Sequence, residues 1–170
     1  MPCKQTGLPF VFLSMNNTVK LIIAVAIPLL VGFSAGFFTV TGVGSWYQSI
    51  NKPSWNPPNW IFGPVWTMLY ILMGIALFLV WKSDAPAPHK KMAITLFAIQ
   101  MALNFFWSFI FFNQRQVGWA LAEIMALWLI IVFTIFSFTS INKVAAWLLV
   151  PYISWVSFAT LLNYTIWKLN

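Results

Sequence analysis

Charged side chains make up only 6% of this 170-residue chain, and just two of them are acidic. With 61% of the residues hydrophobic, too little polar surface is left to cover a water-soluble globule. The single cysteine, Cys3, excludes an internal disulfide and any cysteine-based metal cluster. One histidine and two acids supply no acid/base pair or metal-ligand set that would establish an enzyme, and no cofactor is expected. The first apolar run is too long for a signal-peptide core, and no small-x-small cleavage site follows it. It is therefore expected to stay as a membrane helix. The nine basic residues give a net charge of +7, but they are scattered and form no patch, which argues against a nucleic-acid partner. Basic residues at helix ends instead answer lipid headgroups.

What is abundant is long apolar sequence. A bilayer core about 30 Å thick needs a helix of roughly 20 mostly apolar residues. Five stretches meet that need: Val19 to Thr41, Pro64 to Trp81, Lys91 to Phe112, Val117 to Phe138 and Val144 to Trp167. These runs are apolar on every side, unlike the alternating strands of a β-barrel. The expected fold is an all-α integral membrane protein, a five-transmembrane-helix bundle forming a single domain over residues 18–170. Residues 1–17 are expected to be an N-terminal extension, poorly ordered, with Met15 a plausible start in its own right. Lys4, Lys20, Lys82, Lys90, Lys91 and Lys143 fall on one side of five spans, and Lys52, Arg115 and Lys168 on the other. That bias favours the N-terminus inside.

The segment WYQSINKPSWNPPNWIFGPVW, residues 46–66, places four tryptophans and four prolines between the first two spans. Pro53, Pro57, Pro58 and Pro64 forbid one continuous helix, leaving at most a short helical piece. Rigid indoles lose little entropy on ordering, so the loop is suited to be a lid. Elsewhere Trp81, Trp119, Trp147 and Trp167 lie at helix ends, where an interfacial belt accounts for them. Trp128 and Trp155 lie near the middle of spans four and five, and Trp107 sits about 7 Å inside the end of span three. An indole N–H at that depth wants a partner. For Trp128 packing and pocket are equally good readings; Trp107 and Trp155 favour a pocket.

Polar residues point to the same end of the bundle. Gln100, Asn104 and Ser108 recur at i, i+4 and i+8, in one stripe bordered by Trp107. Span five carries Ser157, Thr160 and Tyr164 on one face with Asn163 beside it. Interhelical hydrogen bonding explains any one of these. Glu123, about 9 Å into span four, is an intramembrane acid and a functional hypothesis by default, with Arg115, Asn104, Tyr164 or a ligand as partner, or else a neutral or snorkelling side chain near the interface. Asp84 is merely solvated. The stripe, Glu123, Trp66 and Tyr70 are expected to converge beneath the loop.

The elements W-Y, K-P-x-W-x-P-P, F-G-P-x-W and L-Y-x-x-M-G of WYQSINKPSWNPPNWIFGPVWTMLYILMG resemble the signature of the translocator protein / tryptophan-rich sensory protein family, also called TspO/MBR or the peripheral-type benzodiazepine receptor family. The resemblance continues through QMALNFFWSFIFF, RQVGWALAEI and PYISWVSFATLLNYTIW, so it covers about Trp46 to Trp167. It implies a five-helix bundle, often a homodimer, whose pocket binds porphyrins and, in animal members, cholesterol and benzodiazepine- or isoquinoline-type drugs. Carried over position by position, it implies a ligand site of Tyr47, Phe62, Trp66, Tyr70, Asn104, Trp107, Ile110, Trp155, Ala159 and Leu162. Leu162, Tyr164 and Lys168 satisfy a pattern proposed for sterol contact. The chain ends without the basic tail of the animal proteins, which inclines the reading to a bacterial cell membrane rather than a mitochondrial one. His89, the one candidate iron ligand, belongs to the opposite side, so a metal-free, protoporphyrin-like tetrapyrrole fits better than haem. The implied function is a porphyrin receptor or sensor linked to tetrapyrrole transport, regulation or light-dependent degradation; transport of sterol or another lipid-like molecule is the alternative. Pro28 and Pro151 are candidate helix breaks. Gly32 and Gly36 form G-x-x-x-G, which suits either self-association or tight packing within the monomer.

Overall fold

The computed structural model describes residues 15–39 and 44–170. Its helices are α1 (Asn17–Gly36), α2 (Trp46–Ser49), α3 (Asn59–Trp81), α4 (Ala87–Ser108), α5 (Val117–Thr139), α6 (Lys143–Trp147) and α7 (Val150–Leu169). A π-helical turn, Phe109–Asn113, continues α4. Among the described residues there is no strand, and five helical stretches are long and apolar enough to cross a membrane. The chain is thus the five-helix membrane bundle expected from its apolar runs. Most of the expected N-terminal extension, residues 1–14 with Cys3 and Lys4, lies outside the described residues, as do positions 40 and 41 at the expected end of span one.

The span boundaries follow local chemistry. Asn16 caps α1 by accepting from the Thr18 N–H at 3.2 Å. Pro28 stays inside α1 without breaking it, as neighbouring helices allow in a membrane. α3 begins at Asn59, five residues before the expected start, so Pro64 lies within the helix rather than in the loop. Pro58 provides its entry, and Pro64 costs only the bond its missing N–H would have made. Span five is two helices: Asn142 caps α6 by accepting from Ala145 N at 3.0 Å, and α7 restarts with Pro151 in its first turn.

Helix α1 packs on α3 and α4, α4 on α5, and α5 on α7, while α3 reaches α6 and α7. The ring order is therefore α1, α3, α7, α5, α4. In lipid these contacts rest on van der Waals fit more than on water exclusion. The half of the bundle towards loop 2/3 is solid: Met73, Ala76, Val80, Phe97, Ile131 and Phe138 are buried in one cluster, with Phe97 and Phe138 stacked at 6.1 Å. Gly74 makes the tightest crossing, since a Cβ there would stand 2.5 Å from the Val25 Cα and 2.8 Å from the Ala24 carbonyl oxygen. The other half, beneath loop 1/2, is hollow.

Candidate functional site: an aromatic cavity under a clasped loop

The hollow is a cavity of about 600 Å³, within the usual range of about 300–1,000 Å³ for small-molecule sites. Its floor is a polar layer laid across three helices. Tyr70 of α3 donates its hydroxyl to Asn104 Oδ1 at 2.7 Å, and Asn104 Nδ2 donates to the Tyr152 hydroxyl at 3.3 Å. Asn104 is therefore placed beneath the cavity, where it orients Tyr70 rather than lining the space itself. Trp66 lies over this layer, stacked on Tyr70 at 5.4 Å and edge-on to Tyr152 at 6.2 Å. Tyr152, fully buried, is a member of the layer that sequence reasoning missed; its only signal was a hydroxyl two turns before Ala159 on α7.

The walls are aromatic. Phe62 meets Trp155 at 6.1 Å, and Trp155 meets Phe158 at 5.5 Å. Trp107 stacks on Phe111 at 5.1 Å, while its indole N–H donates to Asn163 Oδ1 at 3.1 Å. Asn163 in turn donates to the Val117 carbonyl at 2.9 Å, tying α4, α5 and α7 together at the lid end. Of the ten positions expected to hold a ligand, Tyr47, Phe62, Trp66, Tyr70, Trp107, Trp155, Ala159 and Leu162 line this one cavity. Ile110 does not. The π-helical turn, with its backbone bond from Gln114 N to Phe109 O, adds a residue to the helical repeat. It places Phe111 and Phe112 on the cavity wall and leaves Ile110 in an outer groove beside Gln114 and Trp119.

Loop 1/2 closes the top. Buried Tyr47 donates to Asn56 Oδ1 at 2.9 Å and packs on Phe112 at 5.5 Å. Burial raises its phenol pKa, with the Asn56 hydrogen bond acting in the opposite direction. Lys52 donates to the Tyr47 and Ile50 carbonyls at 2.7 and 2.8 Å, capping the end of α2. The loop is then clasped to α7: Asn51 N donates to Asn170 Oδ1, and Asn170 Nδ2 returns a bond to the Asn51 carbonyl, both at 3.0 Å. Trp55 lies edge-on to Phe158 at 5.7 Å.

Several expected convergences do not occur. Glu123 faces the outer groove with Ile110 and Trp119, not the cavity. Its carboxylate oxygens are buried without a hydrogen-bond partner among the described residues, so Arg115, Asn104 and Tyr164 do not hold it. Arg115 is exposed and left-handed at φ 57°, turning the chain from α4 into α5. Gln100, also buried, has neither amide atom bonded among the described residues; of the polar stripe only Ser108 touches the cavity. Leu162 is buried, whereas Tyr164 is exposed and Lys168 lies over the Trp167 ring at 4.8 Å. Tyr164 and Lys168 thus share the outer face of α7, with the Lys168 ammonium 5.9 Å from the Tyr164 ring, while Leu162 of the sterol pattern faces the cavity. Trp128 faces outward and donates to Ser157 Oγ at 2.8 Å, which is the packing alternative. His89 is exposed in the first turn of α4, at the far end from the cavity.

Five spanning helices around a loop-capped internal cavity define a multi-pass integral membrane protein. The description of the TspO/MBR family matches residues 24–168. The tryptophan-rich protein TspO of Chlorobaculum tepidum is 43% identical over 157 residues, covering 92% of this chain and 99% of that protein. The human translocator protein is 41% identical over 126 residues, 74% of this chain and 75% of its own length. The tryptophan-rich sensory protein of Cereibacter sphaeroides is 38% identical over 125 residues, covering 74% and 77% of the two chains. The chain belongs to the TspO/MBR family.

Proposed function

We propose that this protein is a membrane receptor or sensor for porphyrins, with a protoporphyrin-like, metal-free tetrapyrrole held in the cavity under loop 1/2. The observation that carries the reading is the pairing of aromatic walls with a few fixed polar groups. Trp66, Trp107 and Trp155 offer faces on which a flat macrocycle stacks, and Ser108 and Asn163 also line the space, where they can meet its polar edge. The sole histidine stands at the opposite end, so an axial imidazole from this chain has no place in the reading. Coupling to tetrapyrrole transport or light-dependent breakdown belongs to the same proposal, as does a homodimer in a bacterial cell membrane. The G-x-x-x-G cue does not add to the dimer argument: a Cβ at Gly32 would fall on the Tyr70 ring of the same chain. Crosslinking in native membranes that yields monomer alone overturns the dimer.

The ligand test is titration of the purified protein with protoporphyrin IX, read as tryptophan quenching in the dark and then under light. Saturable quenching is expected, with affinity lowered about tenfold in Trp66→Phe, Trp155→Phe or Asn104→Ala, because each removes a contact or a support worth about 1–2 kcal/mol. A new absorbing product under light assigns chemistry to the site. Absence of saturable quenching overturns the porphyrin reading and favours the alternative, carriage of sterol or another lipid-like molecule.

A further inference from the structure

The two helices on one side of the cavity diverge. At Gly74 a Cβ would strike the α1 backbone, and at Gly32 it would strike only the Tyr70 side chain. Closer to the lid, at Gly36 on α1 and Gly63 on α3, a Cβ would meet nothing within 4 Å. Phe33, Gly36, Gly63 and Thr67 all line the cavity and are all exposed on the outside of the bundle. A cavity wall whose residues are also outer surface is a wall with an opening. Thr67 is the ninth residue of α3, so the opening reaches roughly 12 Å along that helix, into the depth of the hydrocarbon.

The described part of the loop is anchored away from this side. Its anchors are Phe112 in the π-helical turn, then Phe158 on α7 and Asn170 just after it, the long way round from α1 to α3. Entry from the water side would break the Asn51–Asn170 clasp. Entry between α1 and α3 leaves the backbone bonds of both helices intact, because each helix satisfies its own backbone; Phe33, packed edge-on to Phe37 at 5.0 Å, has only to rotate.

We propose that the cavity is loaded sideways from the bilayer, through the cleft between α1 and α3, by flat, largely apolar molecules already dissolved in lipid. The inference rests on the reading of the cavity as a ligand site but not on the ligand being a porphyrin. It is tested with a reporter thiol on the cavity wall, Ala159→Cys in a Cys3→Ser background, in proteoliposomes. Two reagents are compared: pyrenylmaleimide partitioned into the bilayer, and a membrane-impermeant disulfonated stilbene maleimide in the water. The lipid-borne reagent is expected to react faster, and Gly63→Trp or Gly36→Trp to slow it about tenfold by obstructing the cleft. At both positions a Cβ meets nothing within 4 Å, and an unchanged melting temperature verifies that the larger tryptophan leaves the fold intact. Equal rates for the two reagents, or a pyrenylmaleimide rate indifferent to both tryptophans, overturn lateral entry. Failure of protoporphyrin IX to bind, with cleft-dependent labelling retained, would remove the porphyrin reading and leave the portal standing.

Discussion

Single side chains set the stability of the lid. Tyr47 is buried, and burial raises its pKa above the ordinary value of 10.0. A raised tyrosine pKa means that folding favours the neutral phenol, so the stabilisation is complete below pH 10 and is lost as pH rises through the folded-state value. The lid is expected to loosen in that alkaline window, with Tyr47 ionising later than an exposed phenol. The native protein minus Tyr47→Phe, followed by tyrosinate absorbance, isolates this step; a difference curve centred at or below the ordinary value contradicts it. Trp66 was legible in the sequence because aromatic residues crowded among prolines needed a reason, whereas Tyr47 came only from the family resemblance. Tyr152 was not legible, since nothing in its neighbours distinguishes a floor hydroxyl from an interfacial one. Glu123 misled for the opposite reason: the depth of an acid can be counted along a helix, but the direction it faces depends on how α4 and α5 turn against each other.

At the level of the helix, small changes in register decide which residues meet. The apolar lengths located all five spans, yet the π-helical turn at Phe109–Asn113 rotated Ile110 off the wall and brought Phe111 and Phe112 in. No apolar pattern announces one extra residue in a turn, because every residue of FIFF is equally apolar. Glycine positions are similarly ambiguous in sequence and distinct in structure. Gly74→Val is expected to destabilise by about 1–3 kcal/mol, because α1 and α3 have no room to separate at their crossing. Gly63→Ala enters open space and gains helix propensity, so it is expected to be neutral or to stabilise by up to about 1 kcal/mol. Thermal unfolding in the same detergent checks the pair, and equal effects would mean that α1 and α3 do not cross where they are placed.

The molecule as a whole is held shut by few bonds across long sequence distances. The Asn51–Asn170 clasp joins positions 119 residues apart. Both bonds come from the Asn170 side chain and the Asn51 backbone, so Asn170→Ala should raise hydrogen exchange across residues 46–58 while leaving the amides of α3 to α5 unchanged. Exchange rising throughout the bundle would make the clasp part of the core instead. Sequence could not have paired these residues, since two asparagines at distant ends carry no mutual signal.

The division between a filled half and an empty half also has a mechanical meaning. Close-packed interiors resist compression and transmit strain, whereas a void yields. Occupying the cavity would stiffen the end under loop 1/2 and leave the end near His89 as rigid as before. Any protein that reads occupancy has to feel it at the lid or along α1, because the far end has no slack through which to report.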